Sequence, residues 1–258
     1  VLWNLHKYVL EMAKNLKTLP EPVNMQKLDA EEKYILSKLN SAIKKATEMF
    51  EGYRLNEIPW VAEELFLELS RTYIQLTRDK SSMGSDEEKK IVLNTAHNVL
   101  LDCMKMFAPV APFITEAMHQ NLRHEFKLKE ESIHLLEWPR HNEEVINEEL
   151  EASMSAASEI VQRALAIREK IQLGIRWPLK EIIIATKDEK VMKAAANLAD
   201  VIKKQLNVKE VKVLESLPNL KVRIKADYSK LGPDFGKKTP EIIAKLTSES
   251  PETILAHI

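Results

Sequence analysis

The chain has 258 residues, of which 45% are hydrophobic and 30% charged; this is enough apolar surface for a core and excludes an intrinsically disordered chain. The 5 glycines are scattered singly, which excludes a glycine-rich phosphate-binding loop. The single cysteine, Cys103, excludes a disulfide framework and any metal site built from several cysteines, and it favours a reducing, cytoplasmic compartment.

The formal net charge of -1 conceals two halves of opposite sign. Residues 1–150 carry 19 Lys and Arg against 25 Asp and Glu, a charge of -6, whereas residues 151–258 carry 19 against 14, a charge of +5. This asymmetry predicts two units with different surfaces. No apolar run approaches the ~20 residues that a membrane-spanning helix needs. Because the chain opens inside an amphipathic helical pattern, we expect it to be part of a longer protein.

The first 125 residues have the pattern of long helices with short connections. The second helix is expected to start at Asp29 and the fourth at Ser85, since each is followed three residues later by a glutamate that completes a capping box. Between them, a third helix is predicted to end near Asp79, and a polar loop to follow over 81–85.

A fifth helix is predicted to open at Pro112 and to place Phe113, Ala117 and Leu122 in the core. Helices of this length with short connections make an antiparallel helical bundle.

The pattern changes after residue 140. An acidic connector over 141–151 leads into a long helix over 147–173, and β-branched residues then predict a strand over 181–186. A helix and two alternating strands, over 208–214 and 220–226, complete a small α/β unit.

The predicted fold class is therefore mainly α: an antiparallel helical bundle, a long linking helix and a small α/β (α+β) domain. The predicted boundaries are 1–140 for the bundle, 141–180 for the connector and linking helix, and 181–258 for the C-terminal domain.

Residues typical of catalysis form no recognisable constellation. His119 and His124 are five positions apart and do not share a helix face, as two metal ligands four apart would. Cys103 lies in an apolar helical pattern, which favours a buried structural thiol over a nucleophile. The sequence therefore predicts neither a catalytic nor a metal site.

Basic residues at the end of the third predicted helix are a better lead. Arg71, Gln75, Arg78 and Lys80 lie within its last turns. Guanidinium groups there offer flat forks of donors for phosphates or base edges. Cations at a helix C-terminus also complement the helix dipole without any ligand. Both interpretations stay open.

A second basic group surrounds the end of the long helix and the start of the first strand. It comprises Arg168, Arg176, Trp177 and Lys180. A tryptophan beside an arginine suits stacking on an unpaired base. The alternative is that this tryptophan wedges the junction between helix and sheet.

A third candidate is the loop over 232–239, where Lys237 and Lys238 precede a predicted helix. A helix N-terminus with two ammonium groups suits a phosphate. Solvated lysines on a turn are the alternative.

Several segments resemble the helical anticodon-binding domain of the Ile/Val/Leu/Met class I aminoacyl-tRNA synthetases. The most specific is Ala108-Pro-Val-Ala-Pro-Phe-Ile-Thr-Glu116, which matches an Ala-Pro-x-x-Pro-Phe-x-x-Glu signature. The other matching segments are 28–40, 53–57, 73–79 and 132–139. One departure is Gln75-Leu-Thr77, where the group often has a more basic run before Arg78.

Two further segments are similar to isoleucine–tRNA ligases of the archaeal and eukaryotic type. They are Arg176-Trp-Pro-Leu-Lys-Glu181, preceded by Ile167-Arg-Glu-Lys170, and Leu231-Gly-Pro-Asp-Phe-Gly-Lys237. The resemblance covers nearly the whole chain and identifies it as the C-terminal anticodon-binding region of such an enzyme.

The resemblance implies that the residues named in the three basic groups contact isoleucine tRNA. It also implies a full-length cytoplasmic enzyme, monomeric and without a membrane anchor, that attaches isoleucine to its tRNA with ATP and Mg²⁺. Neither the His-Ile-Gly-His nor the Lys-Met-Ser-Lys-Ser adenylation motif occurs in these residues, so the rest of the synthetase chain is expected upstream and this part is expected to be non-catalytic, without a cofactor.

Three alternatives stay open. The nearest is the same region of a valine-type synthetase. A helical protein-interaction scaffold without RNA binding fits the acidic front half. A free-standing enzyme would need a catalytic constellation, which the sequence does not provide.

Overall fold

The computed structural model divides the chain into two compact units, Val1–Val213 and Leu214–Ile258. The residues that it describes are 1–216, 236, 239 and 240. The predicted strand over 220–226 lies outside them.

The front of the chain is a helical bundle. Its elements are α1 (Leu2–Leu16), α2 (Ala30–Glu51), α3 (Ile58–Glu68), a π-helical turn (Leu69–Tyr73), α4 (Ile74–Leu76), α5 (Arg78–Met83), α6 (Asp86–Phe107) and α7 (Pro112–Phe126). Both expected capping boxes are present: Asp29 with Glu32 starts α2, and Ser85 with Glu88 starts α6. These starts are encoded locally, because each cap satisfies backbone N–H groups of its own first turn.

The end of the third predicted helix is less regular than expected. After α3 the chain passes through the π-helical turn and α4, and Thr77 then separates α4 from α5. Ser81 and Ser82 do not form the expected polar loop but belong to α5, where their hydroxyl groups donate to the carbonyl of Arg78 at 2.8 and 2.9 Å. Serine hydroxyls satisfy helix carbonyls in this way, so a serine-rich stretch need not break a helix.

The phase of α7 also differs from the prediction. Phe113, expected in the core, is 91% exposed, and Ala117 is exposed as well. Leu122 is buried as predicted, and Met118 and Phe126 share its buried face. Their spacings of four residues form a continuous apolar stripe, and Phe113 lies off that stripe at the first turn.

The back of the described chain is a small α/β arrangement. Its elements are α8 (Glu148–Lys170), β1 (Leu179–Ala185), α9 (Glu189–Asn197), α10 (Ala199–Leu206) and β2 (Val208–Leu214). The two strands pair in a parallel sheet, so α9 and α10 form the crossover between them. Met154 and Ala157 of α8 pack with Ile202 of α10 in a second hydrophobic cluster, which Tyr34 of α2 also joins.

The connector that precedes α8 packs along the side of α2. The Trp138 indole N–H donates to the Thr47 hydroxyl at 2.9 Å, and the Asn147 backbone N–H donates to the Ser37 hydroxyl at 2.8 Å. Because the contacts step backwards along α2 as the chain advances, the connector runs antiparallel to this helix and fixes the start of α8.

The predicted class, a mainly α bundle followed by a small α/β part, is confirmed. The boundaries predicted at 140 and 180 stay predictions. Among the described residues, no helix is both long enough and apolar enough to span a membrane.

Candidate nucleic-acid interface

The C-terminal end of α10 brings two of the predicted basic groups together. The Gln205 side-chain amide donates to the carbonyl of Gln75 at 3.3 Å. Two residues later, the Asn207 amide donates to the carbonyls of Ile175 and Arg176 at 3.0 and 3.3 Å. Segments about a hundred positions apart in the sequence therefore border one surface.

The first group presents polar side chains from the irregular end of the third helix. Arg71, Gln75 and Arg78 are all exposed. Leu69 and Tyr73 of the π-helical turn are 0% exposed, so they anchor the segment from its other side. π-helical turns are often found at functional sites, where the extra residue re-aims the side chains that follow. This segment thus holds two guanidinium groups and one amide in solvent on a rigid support.

Lys80, predicted in the same group, has a different environment. Its ammonium group lies 2.8 Å from Asp29, 3.0 Å from Glu32 and 3.5 Å from Glu31, and its side chain is only 11% exposed. Burial opposes its charge, but the hydrogen bond to Asp29 and the charges of Glu32 and Glu31 outweigh burial and raise the pKa of the ammonium group. We call these four residues the Lys80 cluster.

The Lys80 cluster has a structural explanation that needs no RNA. Asp29 is the N-cap of α2, so Lys80 ties α5 to the start of that helix. The three carboxylates lie close enough to one another to hold a cation, and the ammonium group of Lys80 contacts all three. We therefore leave Lys80 out of the proposed RNA surface.

The second group centres on residues 174–177, which we call the Trp177 turn. Trp177 is 68% exposed and Ile175 is 42% exposed, while Arg176 and Lys180 are also exposed. The tryptophan therefore does not wedge the junction between helix and sheet, which was the alternative to base stacking. An exposed indole next to a guanidinium group is an uncommon surface feature and suits a planar ligand.

Arg168, predicted as an RNA contact, is instead 5% exposed. Its guanidinium group donates to the carbonyls of Gly174 at 2.7 Å and Trp177 at 2.6 Å, with a longer bond of 3.4 Å to Leu206. A side chain committed to three backbone acceptors below the surface supports the turn from within. The guanidinium group of Arg168 is thus occupied by acceptors of the protein itself.

Sequence reasoning missed the contribution of α10 to this surface. Lys204 is exposed and is among the positive charges that lower the pKa of Asp29, which places it near the first group. Asn207 ends α10 in the left-handed conformation, at φ 50°. An asparagine after a helix that ends in lysines signals only a helix C-cap, so its side-chain contacts were not readable from the sequence. Lys237 and Lys238 lie outside the described residues.

Burial shifts the pKa of two groups with catalytic potential, Cys103 and His97. Cys103 is 0% exposed, and burial raises the pKa of its thiol to about 12. Burial also lowers the pKa of His97 to about 4. Cys103 is thus a free, buried cysteine, as the apolar helical pattern predicted, and a thiol protonated at neutral pH is a poor nucleophile.

Comparison with known proteins gives the same family as the residues do. Residues 32–184 match the family described as the anticodon-binding domain of tRNA ligase. The chain is 37% identical over 232 residues to an isoleucine–tRNA ligase of Archaeoglobus fulgidus, covering 88% of this chain and 23% of that protein. It is 36% identical over 258 residues to the isoleucine–tRNA ligase of Pyrococcus abyssi, covering 97% of this chain and 23% of that protein.

A third relative, the isoleucine–tRNA ligase of Thermococcus kodakarensis, is 33% identical over 256 residues, which cover 98% of this chain and 24% of that protein. The chain thus spans about a quarter of the length of the curated relatives it matches. Since the family match extends over more than half of the 258 residues, the chain belongs to the family of anticodon-binding domains of tRNA ligases.

Proposed function

We propose that this chain is the anticodon-arm-binding part of an isoleucine–tRNA ligase and that it binds isoleucine tRNA. The observation that carries the proposal is the exposed Trp177 turn beside the exposed end of the third helix. Both lie within the matched residues 32–184. The isoleucine assignment rests on the similarity to isoleucine–tRNA ligases over nearly the whole chain.

The chemistry of the surface fits a single-stranded loop. Sequence-specific recognition of RNA targets unpaired bases, which stack on aromatic side chains and are read along their edges. Trp177 supplies the stacking face, and the exposed Arg71, Arg78 and Arg176 supply flat donors for phosphates. Because residues 1–150 are acidic overall, contacts to phosphates are confined to this face and do not extend over a broad, positively charged surface.

The activity of the whole enzyme belongs to residues beyond this chain. The full-length protein would attach isoleucine to its tRNA, using ATP and Mg²⁺ held by the catalytic part, in the cytoplasm and as a monomer. The adenylation motifs are absent from these 258 residues. Within the whole enzyme, this part would hold the anticodon arm so that the acceptor end reaches the distant active site.

The test is binding of the 258-residue chain to isoleucine tRNA, measured by fluorescence anisotropy at low salt against an unrelated tRNA. We expect tighter binding to isoleucine tRNA and an affinity about 5- to 100-fold lower for Trp177→Ala, since a stacked base contributes ~1–3 kcal/mol. Trp60→Ala is the matched control, because Trp60 is 70% exposed but lies outside the proposed surface. Equal affinity for the two tRNAs would contradict the proposed specificity for isoleucine tRNA. An unchanged affinity of Trp177→Ala would contradict the proposed binding surface.

One observation favours the alternative of a protein-interaction scaffold. Tyr53, Trp60 and Phe113 are exposed aromatic residues, at 90%, 70% and 91%. A scaffold would show no affinity for any tRNA at low salt, whatever residue is substituted. Valine tRNA as a third ligand separates the isoleucine enzyme from the valine enzyme.

A further inference from the structure

We propose that Arg168 and Asn207 are positioning residues that hold the Trp177 turn in its RNA-binding shape before RNA arrives. This inference rests on the proposed function and assigns a positioning role to one buried side chain, Arg168, and one exposed side chain, Asn207.

Every carbonyl of the Trp177 turn accepts a side-chain hydrogen bond. Arg168 donates to the first and the last, those of Gly174 and Trp177, at 2.7 and 2.6 Å. Asn207 donates to the two between them, those of Ile175 and Arg176, at 3.0 and 3.3 Å. Two side chains from the ends of two different helices thus donate hydrogen bonds to four consecutive carbonyls.

These four hydrogen bonds explain why the side chains of the turn point into solvent. With the carbonyls directed at Arg168 and Asn207, the side chains of Ile175, Arg176 and Trp177 remain in solvent. Pro178 restricts Trp177 to extended backbone conformations, and the Trp177 N–H closes the turn on the Gly174 carbonyl at 3.1 Å. The turn is therefore fixed at both ends and along its length.

Asn207 suits this position for a second reason. It ends α10 at φ 50° and ψ 53°, a left-handed conformation that asparagine tolerates better than most residues. Its own carbonyl accepts the N–H of Leu179 at 3.0 Å, so it also joins the turn to the start of β1. One residue thus connects α10, the turn and the sheet.

A turn already fixed by its carbonyls loses little conformational freedom when it binds. Ordering an exposed loop and a large side chain normally opposes association, so a prebuilt loop binds more tightly than a flexible loop of the same composition. Arg168 is suited to this task because its Nη2 donates to both turn carbonyls while its Nη1 donates to the carbonyl of Leu206, a planar arrangement of two nitrogens that the single ammonium nitrogen of a lysine does not reproduce.

Asn207→Gly is the sharpest variant, because glycine keeps the left-handed conformation and removes only the side-chain amide. Arg168→Lys removes the fork and keeps the charge. Asn197→Gly, at the exposed end of α9, is the matched control for an asparagine-to-glycine change at a helix end. Thermal unfolding of each variant shows that the chain remains folded.

The readout without RNA is ¹⁹F NMR of the 258-residue chain labelled with 5-fluorotryptophan, in which Trp177→Phe identifies the Trp177 resonance. We expect Asn207→Gly and Arg168→Lys to shift or broaden that resonance and to leave those of Trp3, Trp60 and Trp138 in place. Asn197→Gly leaves all four unchanged. An unmoved Trp177 resonance in both variants would overturn the inference.

The readout with RNA is the affinity for isoleucine tRNA. Asn207→Gly is expected to lower it about tenfold, because the turn must then be ordered on binding. In a Trp177→Ala background, Asn207→Gly should lower the affinity for isoleucine tRNA at most about twofold, since the side chain that Asn207 positions is no longer present. A full tenfold loss in that background would overturn the inference. If Trp177→Ala itself binds like the wild type, the RNA role of the turn fails, while the ¹⁹F spectra still report separately whether the two side chains hold it.

Discussion

Two basic side chains with little solvent exposure, the half-buried Lys80 in the bundle and the buried Arg168 at the end of α8, show that one chain stabilises such a cation in two ways. Lys80 is held by the carboxylates of Asp29, Glu31 and Glu32. Arg168 is held by backbone carbonyls, at 2.6 and 2.7 Å for the two shortest bonds. The first arrangement balances charge with charge, whereas the second satisfies a cation with dipoles that carry no net charge.

The difference separates what each residue does. Loss of Lys80 leaves negative charges below the surface, so its contribution is to the stability of the bundle. Loss of Arg168 leaves only neutral acceptors, which water reaches at an exposed turn, so its contribution is to the shape of that turn. The sequence predicted that both contact RNA, whereas in the structure the charged group of each is hydrogen-bonded to acceptors of the protein itself.

The largest expected effect is that of Lys80→Met on stability. Removing the cation leaves Glu32, which is 0% exposed, and Glu31 without a counter-charge, and breaking a buried pair in this way costs about 3–5 kcal/mol. Urea unfolding at pH 7 measures the change. Lys27→Met is the matched control: its ion pair with Glu87 is 57% and 64% exposed, so solvent screens it and the loss of stability should be much smaller than for Lys80→Met. Equal losses in the two variants would contradict the distinction between the buried and the exposed pair.

The second prediction concerns Arg168→Met, for which we expect a smaller loss of about 1–3 kcal/mol. The side chain makes three hydrogen bonds, but its removal strands no charge. The same urea experiment checks this value. A loss larger than that of Lys80→Met would mean that the carbonyls around Arg168 cannot reach water.

The third prediction uses pH to separate the two sites. The hydrogen bond with Lys80 lowers the pKa of Asp29 below its usual value of 3.8. An acid whose pKa is lowered by folding stabilises the fold above its ordinary pKa, and this stabilisation is lost as the pH falls through the lowered value. The difference in the free energy of unfolding between wild type and Lys80→Met should therefore stay constant above about pH 5 and narrow as the pH falls below 3.8, whereas the difference for Arg168→Met stays constant because carbonyls do not titrate. Parallel pH dependence in the two variants would contradict this.

The smallest expected effect concerns Arg78, which lies two residues before Lys80 but is exposed. Arg78→Ala should leave stability within about 0.5 kcal/mol of the wild type. It should weaken binding of isoleucine tRNA and reduce the steepness of the salt dependence by about one charge, as for the loss of one phosphate contact. Arg140→Ala is the control, since its side chain is 90% exposed and lies on the connector. If Arg78→Ala left the salt dependence of tRNA binding unchanged, Arg78 would not be part of the proposed binding surface.

Local signals in the sequence predicted the fold better than the site. The starts of α2 and α6 were predictable because a capping box involves residues only three positions apart. The partners of Lys80 lie 48 and 51 residues away, where no local pattern points to them. Since the acceptors of Arg168 are backbone carbonyls, which every residue has, no residue type marks them.

The prediction that Phe113 of α7 is buried was wrong for a related reason. Phe113 is large and apolar and follows a proline at the helix start, which favours burial, but the first turn of a helix is free to lie beyond the neighbouring helices. The exposure of Trp177 was equally undecided by the sequence, because an aromatic residue at a helix–strand junction suits both a core and a surface.

The most direct test of the proposed surface is hydrogen–deuterium exchange of the 258-residue chain with and without isoleucine tRNA. The account predicts slower exchange on binding in 71–78 and 174–180, and at the end of α10. Protection confined to the segments around Tyr53, Trp60 and Phe113, with residues 174–180 unchanged, would contradict the proposed surface.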